Sequence, residues 1–281
     1  KDDDDTNEDG DATVPAMRDW NCFETFGIVS MEYCEISYGG SDTSVLRLKN
    51  TASAVIDNCT FTDNNAYGIY VENLTGSAAI TNCTVTGSQN HGIYSKNSSP
   101  AITGCSIYGN RTGYTDDYEI WVDGTAMPSE ISSCSFGTAD DKGSILLGVA
   151  AFDTVISEDN TNLRAIYLNS GTVTTDTNVT LANTAVPYFT IGSIAVPAGF
   201  TVTVNPGVII KFANNSFISC SGTFNAVGTD FSPIIFTSRN DDTFGGDTNE
   251  DGDSTTPAAG EWRCVQYANA GSGSMAYCTF R

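Results

Sequence analysis

The chain has 281 residues, 40% of them hydrophobic and 16% charged, with 27 Gly and only 8 Pro. That is a globular composition, not that of a disordered tail. Twelve Lys and Arg against 34 Asp and Glu leave a net charge of −22, which argues against nucleic acid and anionic membrane surfaces as partners and for cations as small ones.

The first element in chain order is an acidic loop. Residues 1–19 hold 8 of the acids and residues 241–261 hold 7, and the two stretches are copies. Asp5-Thr-Asn-Glu-Asp-Gly-Asp11, Pro15, Asp19, Trp20 and Cys22 recur as Asp247-Thr-Asn-Glu-Asp-Gly-Asp253, Pro257, Glu261, Trp262 and Cys264, at an offset of 242 throughout. Each copy follows the first half of an EF-hand loop, with oxygen side chains at positions 1, 3 and 5, Gly at 6 for the sharp turn and a carbonyl at 7. The predicted calcium ligands are therefore Asp5, Asn7, Asp9 and Asp11, and Asp247, Asn249, Asp251 and Asp253. Position 12 is Ala16 or Ala258 where an EF-hand has Glu, so Asp19 and Glu261 are expected to close the shells, and Asp241 or Asp242 to add a ligand to the second. Gathering this many carboxylates costs stability unless a cation offsets the repulsion.

After the first loop, short strand patterns recur. Met31-Glu-Tyr-Cys34-Glu-Ile36 begins a series continued by Ile56-Asp-Asn-Cys59-Thr-Phe61, Ile80-Thr-Asn-Cys83-Thr-Val85, Ile102-Thr-Gly-Cys105-Ser-Ile107 and Ile131-Ser-Ser-Cys134-Ser-Phe136. The cysteines stand 25, 24, 22 and 29 residues apart, the length of one solenoid coil. Within Cys-x-Phe the period of two puts the apolar residues on one face, but Ile to Cys is an odd step of three, so the chain must bend between them. Asn58, Asn82 and Gly104, directly before three of the cysteines, tolerate the left-handed backbone such a corner requires.

A second pattern accompanies each coil: Leu46-Arg-Leu-Lys-Asn50, Ile69-Tyr-Val-Glu-Asn73, Ile93-Tyr-Ser-Lys-Asn97 and Ile120-Trp-Val-Asp-Gly124. Stacking puts Lys49, Glu72, Lys96 and Asp123 in one ladder of alternating sign, which suits strand registration. Beside it Arg47, Tyr70, Tyr94 and Trp121 form a stripe that reads either as cover for a sheet face or as a carbohydrate-binding platform at Tyr70, Tyr94 and Trp121. The cysteines are expected to be buried thiols acting as small apolar residues; one or two disulfides between stacked neighbours stay open. No CxxC occurs and His91 is the single histidine, which speaks against zinc.

The coils persist, less regularly, to about residue 182. Farther on, Val202-Thr-Val-Asn-Pro-Gly-Val-Ile-Ile-Lys-Phe212, Gly222-Thr-Phe-Asn-Ala-Val-Gly228 and Pro233-Ile-Ile-Phe-Thr-Ser238 lead into the second acidic loop. These segments resemble those of large prokaryotic cell-surface proteins, and the Ile-x-Asn-Cys coils resemble right-handed parallel β-helix repeat proteins of the pectate-lyase-like superfamily. The resemblance implies an all-β, right-handed parallel β-helix of eleven or twelve coils, about 55 Å long at roughly 4.8 Å per coil, with inserted calcium-binding loops. Residues 1–182 read as coils preceded by a calcium loop (1–19), and residues 183–281 as the start of the next repeat unit with a second loop (241–261). Met275-Ala-Tyr-Cys278-Thr-Phe280 echoes Met31 to Ile36 at an offset of 244, so the chain is expected to be a window on a longer tandem array.

The superfamily includes lyases, hydrolases and adhesins, so the resemblance leaves function open. A lyase would need Arg or Lys beside a bound uronate, and a hydrolase paired acids on a strand face. Asp116 with Asp117 and Asp140 with Asp141 are instead adjacent acids in loops, and no catalytic motif is matched. The expectation is a non-enzymatic, calcium-stabilised structural or adhesive repeat, extracellular or displayed on a cell surface, partnered by calcium and by further copies or repeats of itself. The alternative is a carbohydrate-binding or polysaccharide-degrading module. No apolar run approaches the roughly 18 residues that cross a bilayer, and any export signal is expected outside these residues.

Overall fold

The computed structural model describes residues 13–41, 43–51, 53–110, 118–125, 127–138, 141–174, 177–252, 254–268 and 270–281. Asp5, Asn7, Asp9, Asp11 and Asp253, and with them Asp116, Asp117 and Asp140, lie outside these residues.

Among the described residues every pairing between strands is parallel, and the strands stack coil on coil into a β-solenoid. One sheet of 11 strands runs from Phe23–Thr25 to Cys278–Phe280. Ten steps of roughly 4.8 Å put about 48 Å between its end strands. Among the described residues there is no helix, and none long and apolar enough to cross a membrane. In the first part each coil adds a strand to two further sheets, for example Ser53–Asp57 and Thr60–Thr62 after Ser44–Lys49. In the second part a different pair of four-stranded sheets takes over, beginning at Gly171–Thr172 and Asn178–Leu181. The long sheet crosses residues 182 and 183 without interruption, Leu163–Leu168 pairing with Tyr188–Thr190.

The odd step of three is a left-handed corner in every Cys coil. The residue before cysteine has φ between +50° and +66° at Tyr33, Asn58, Asn82, Gly104, Ser133 and Tyr277, so the corner holds even where the residue type does not favour it. It turns Ile56, Cys59 and Phe61 into one interior together with Ile80, Cys83 and Val85, all 0–1% exposed.

All nine cysteines are thiols, and Cys59, Cys83, Cys105, Cys134 and Cys220 are buried. The Sγ of Cys59, Cys83, Cys105 and Cys134 each donates one coil back, to the carbonyls of Met31, Ile56, Ile80 and Ile102, at 3.4–3.7 Å. The ladder thus joins coils by packing and weak S–H···O contacts.

Candidate metal centre and the outer face of the long sheet

The outward ladder of the long sheet positions the site. Its register runs Arg47, Tyr70, Tyr94, Trp121, Leu146, Tyr167, Phe189, Lys211 and Thr237. The rings stack along it: Tyr70 on Tyr94 at 4.9 Å and 5°, and Tyr94 on Trp121 at 4.5 Å and 19°. Arg47 lies over Tyr70 at 5.5 Å. Tyr70 and Tyr94 are 5% and 8% exposed, so their faces serve the stack. Burial, helped by the neighbouring Glu72, pushes the Tyr70 hydroxyl up to about 12. The charge ladder falls in register as its spacing predicts, Lys49 opposite Glu72, Glu72 opposite Lys96, and Lys96 opposite Asp123.

At the other end of this ladder the acidic loop folds back onto the sheet. Lys211 is fully buried beneath it, with Nζ donating to the carbonyl of Gly246 at 2.5 Å and to Thr248 Oγ1 at 3.2 Å. Burial pushes the Lys211 ammonium below its ordinary value, opposed by Asp242, Asp241 and Asp247. Two more anchors reach the loop from the coils: Tyr167 donates its hydroxyl to the carbonyl of Thr248 at 3.1 Å, and Arg164 pairs with Glu250 at 2.5 Å. A lysine within the apolar run Val208 to Phe212 was the sequence signal for this docking, since an outward position on a covered strand needs acceptors above it.

Within the loop, Asp247 accepts from the backbone N–H of Asp251 at 3.3 Å and of Gly252 at 2.9 Å. Gly252 has φ +63° and an open space where a Cβ would stand, so conformation, not crowding, calls for glycine at position 6. The fold brings carboxylate oxygens of Asp242, Asp247 and Asp251 within 4.8 Å of one another, each residue partly buried. Asp241, its neighbour, points elsewhere. It accepts from Thr237 at 2.6 Å and from the Thr243 hydroxyl. Burial raises its carboxyl, but these hydroxyls outweigh burial and hold it below the usual value.

Asn249 sends Nδ2 to Asn240 Oδ1 at 3.1 Å, Asp251 Oδ2 at 2.8 Å and Thr255 Oγ1 at 3.1 Å, while its own Oδ1 is buried with no hydrogen-bond partner among the described residues. Its orientation is inherited from Glu261. A carboxylate only accepts; Glu261 takes Asn240 Nδ2 at 2.7 Å and the Ser238 hydroxyl, which leaves Asn240 Oδ1 to receive Asn249. Burial raises the Glu261 carboxyl, but Ser238 and Asn240 outweigh it and hold it low. Glu261 thus stands behind the cluster, not in it. Its counterpart Asp19 accepts from the Ala16 N–H at 2.8 Å.

The three carboxylates offer only oxygen donors, which suits a hard cation such as calcium, and Asn249 Oδ1 in the same loop is a further oxygen that no described residue engages. Beside the loop lies a cavity of about 370 Å³ lined by Tyr118, Tyr167, Phe189, Arg164, Arg239 and Glu250 among others.

The family model described as "Right handed beta helix region" matches residues 44–239, more than two thirds of the chain. The chain belongs to that family. No curated protein and no solved structure matches this β-helix. The matched residues cover most of the stacked coils, leaving out the strands between Phe23 and Ser37 and between Val265 and Phe280, and stop before the acidic loop, so the family accounts for the scaffold and leaves the loop's chemistry to its own residues.

Proposed function

We propose that this β-helix is a structural or adhesive repeat of an extracellular or cell-surface protein, stabilised by calcium held at Asp242, Asn249, Asp247 and Asp251. The observation that carries the reading is the convergence of three carboxylates within 4.8 Å in a loop whose buried Asn249 Oδ1 has no hydrogen-bond partner among the described residues. Like charges so close repel, and a buried unpaired acceptor costs about 1–3 kcal/mol; a divalent cation offsets both. Because Arg164 and Tyr167 on Leu163–Leu168 and Lys211 on Ile209–Phe212 tie the loop to two strands of the long sheet that flank Tyr188–Thr190, an ion that orders the loop clamps the coils beneath it.

Thermal unfolding with calcium and with excess EDTA tests this. Calcium at a hundred times its Kd contributes about 2.7 kcal/mol, or roughly 5–10 °C in Tm for a chain of this size. Identical melting curves under both conditions would remove calcium from the account.

A second reading, a carbohydrate-binding or polysaccharide-degrading module, draws on the 370 Å³ cavity, where aromatic rings and two arginines face one space. Binding or turnover in a polysaccharide panel, abolished by Arg239→Ala, would favour it.

A further inference from the structure

The two ends of the solenoid are copies that fold alike. Trp20 Nε1 donates to the Ser37 carbonyl at 2.7 Å, and Trp262 Nε1 donates to the Arg281 carbonyl at the same distance. Tyr33 and Tyr277 share a left-handed corner, at φ +55° and +50°, as do Arg18 and Gly260, at +77° and +86°. Cys34 and Cys278 each donate Sγ to the carbonyl two residues back, at 3.5 and 3.4 Å.

Their neighbours differ. The second copy has a coil above it: Val265–Tyr267 pairs with Ile218–Cys220, Met275 with Ala226, and Cys278–Phe280 with Ile234–Phe236. Trp262 stacks on Phe212 at 4.4 Å and 8°. The first copy has nothing there among the described residues. Phe23–Thr25, Ile28–Glu32 and Glu35–Ser37 are end strands of their sheets. Trp20, Phe23, Ile28 and Tyr33 are 39%, 44%, 80% and 79% exposed, and Trp20 and Phe23 line, with Met31, Cys34 and Ile36, an open hollow of about 460 Å³.

We propose that this apolar edge seats the coil Phe212–Ser238 of another unit of the same kind, in the register the second copy displays, with Phe23 beneath Ile218, Met31 beneath Ala226, Cys34 beneath Ile234 and Trp20 on Phe212. The proposal rests on the repeat reading and not on calcium. An uncovered parallel edge is a template for pairing, and the molecule itself contains the matching surface and its geometry.

A rotation follows. Phe23–Thr25 belongs to the long sheet but its counterpart Val265–Tyr267 does not, whereas Cys278–Phe280 belongs to the long sheet and its counterpart Glu35–Ser37 does not. One unit therefore advances by a whole number of coils plus one face. Successive units in an array are turned about the rod axis by one face, and their acidic loops project in different directions.

The test is a two-unit chain in which residue 242 of one complete unit is joined to residue 1 of the full chain, so that the second unit's residues 1–39 replace residues 243–281 of the first. The expected crystal or cryo-electron microscopy structure shows the second unit's Phe23–Thr25 hydrogen-bonded to the first unit's Ile218–Cys220, with the two long sheets on different faces. An unpaired junction, or collinear long sheets, would overturn the proposal. Phe23→Lys supplies a solution readout: in the two-unit chain it buries a charge and is expected to lower Tm by several degrees more than in the single chain. Equal losses in both chains contradict seating. Both chains are melted in calcium and in EDTA, so a missing calcium effect would sink the metal reading while leaving the junction result intact.

Discussion

The side-chain amide of Asn249 stands 3.1 Å from the Oδ1 of Asn240, and that contact sets which way the loop amide faces. The polarity starts at Glu261 and passes through Asn240 to Asn249. Partners of this outer kind typically change metal affinity by about 10–100-fold. Asn249→Ala is expected to abolish high-affinity calcium binding in calorimetry, Glu261→Ala to weaken it about tenfold, and Glu261→Gln to lose less, because its one remaining oxygen still accepts from Asn240. Unchanged affinity in Glu261→Ala would show that the relay is idle.

Lys211 acts in the opposite sense on the empty and the loaded loop. Without metal its ammonium holds Gly246 and Thr248 down and faces Asp242 and Asp247; with metal it repels a second cation. Lys211→Met is therefore expected to lower Tm in EDTA, by the equivalent of about 1.5–3 kcal/mol for a charged hydrogen bond, and to enlarge the calcium-induced rise. A variant whose calcium shift shrinks would contradict this placement.

The thiols give a prediction independent of metal. Cys59, Cys83, Cys105, Cys134 and Cys220 are buried and so shielded from reagent, and at Cys59 and Cys220 burial also pushes the thiol up, which suppresses the reactive thiolate there. Iodoacetamide on the native protein should leave these five unmodified until denaturant is added. Mass-spectrometric labelling of Cys83 or Cys105 in the native state would refute the inward ladder.

Acid should unlock the loop. Asp241 and Glu261 titrate below their ordinary values of 3.8 and 4.5, so the unfolded chain takes up protons first as pH falls. Their contribution is complete above about pH 4.5 and is lost as pH falls through the folded values. Urea denaturation in EDTA should show a flat stability near pH 6–5 from these groups and a decline below about 4.5. Asp241→Asn and Glu261→Gln together should flatten that decline.

Local rules made much of this legible. The odd step from Ile to Cys demanded a corner, and the corner is there at Tyr33 and Ser133 as well as at Asn58. The alternating signs of Lys49, Glu72, Lys96 and Asp123 declared a register that the strands keep. Asp247, Asp251 and Gly252 were readable because a turn's chemistry is contained in consecutive residues. What spacing does not carry is contact at long separation. Nothing near Asp241 and Asp242 says that Thr237 and Thr243 engage the first and leave the second for the cluster. Arg164 meets Glu250 across 86 positions of sequence, a pairing that exists only once the loop folds back. The sheets beside the long one change between Ile156 and Gly171, where the Cys pattern ends and the apolar spacing is irregular. The stripe at Tyr70, Tyr94 and Trp121 was placed on one face by period alone, but whether its rings turn outward or onto each other depends on neighbours such as Tyr67 and His91.

The most direct measurement is a crystal structure grown with calcium, with anomalous scattering collected at a wavelength where calcium contributes. A peak is expected among Asp242, Asp247, Asn249 and Asp251, at about 2.3–2.6 Å from their oxygens. A loop ordered in millimolar calcium with no peak there would contradict calcium binding at this loop.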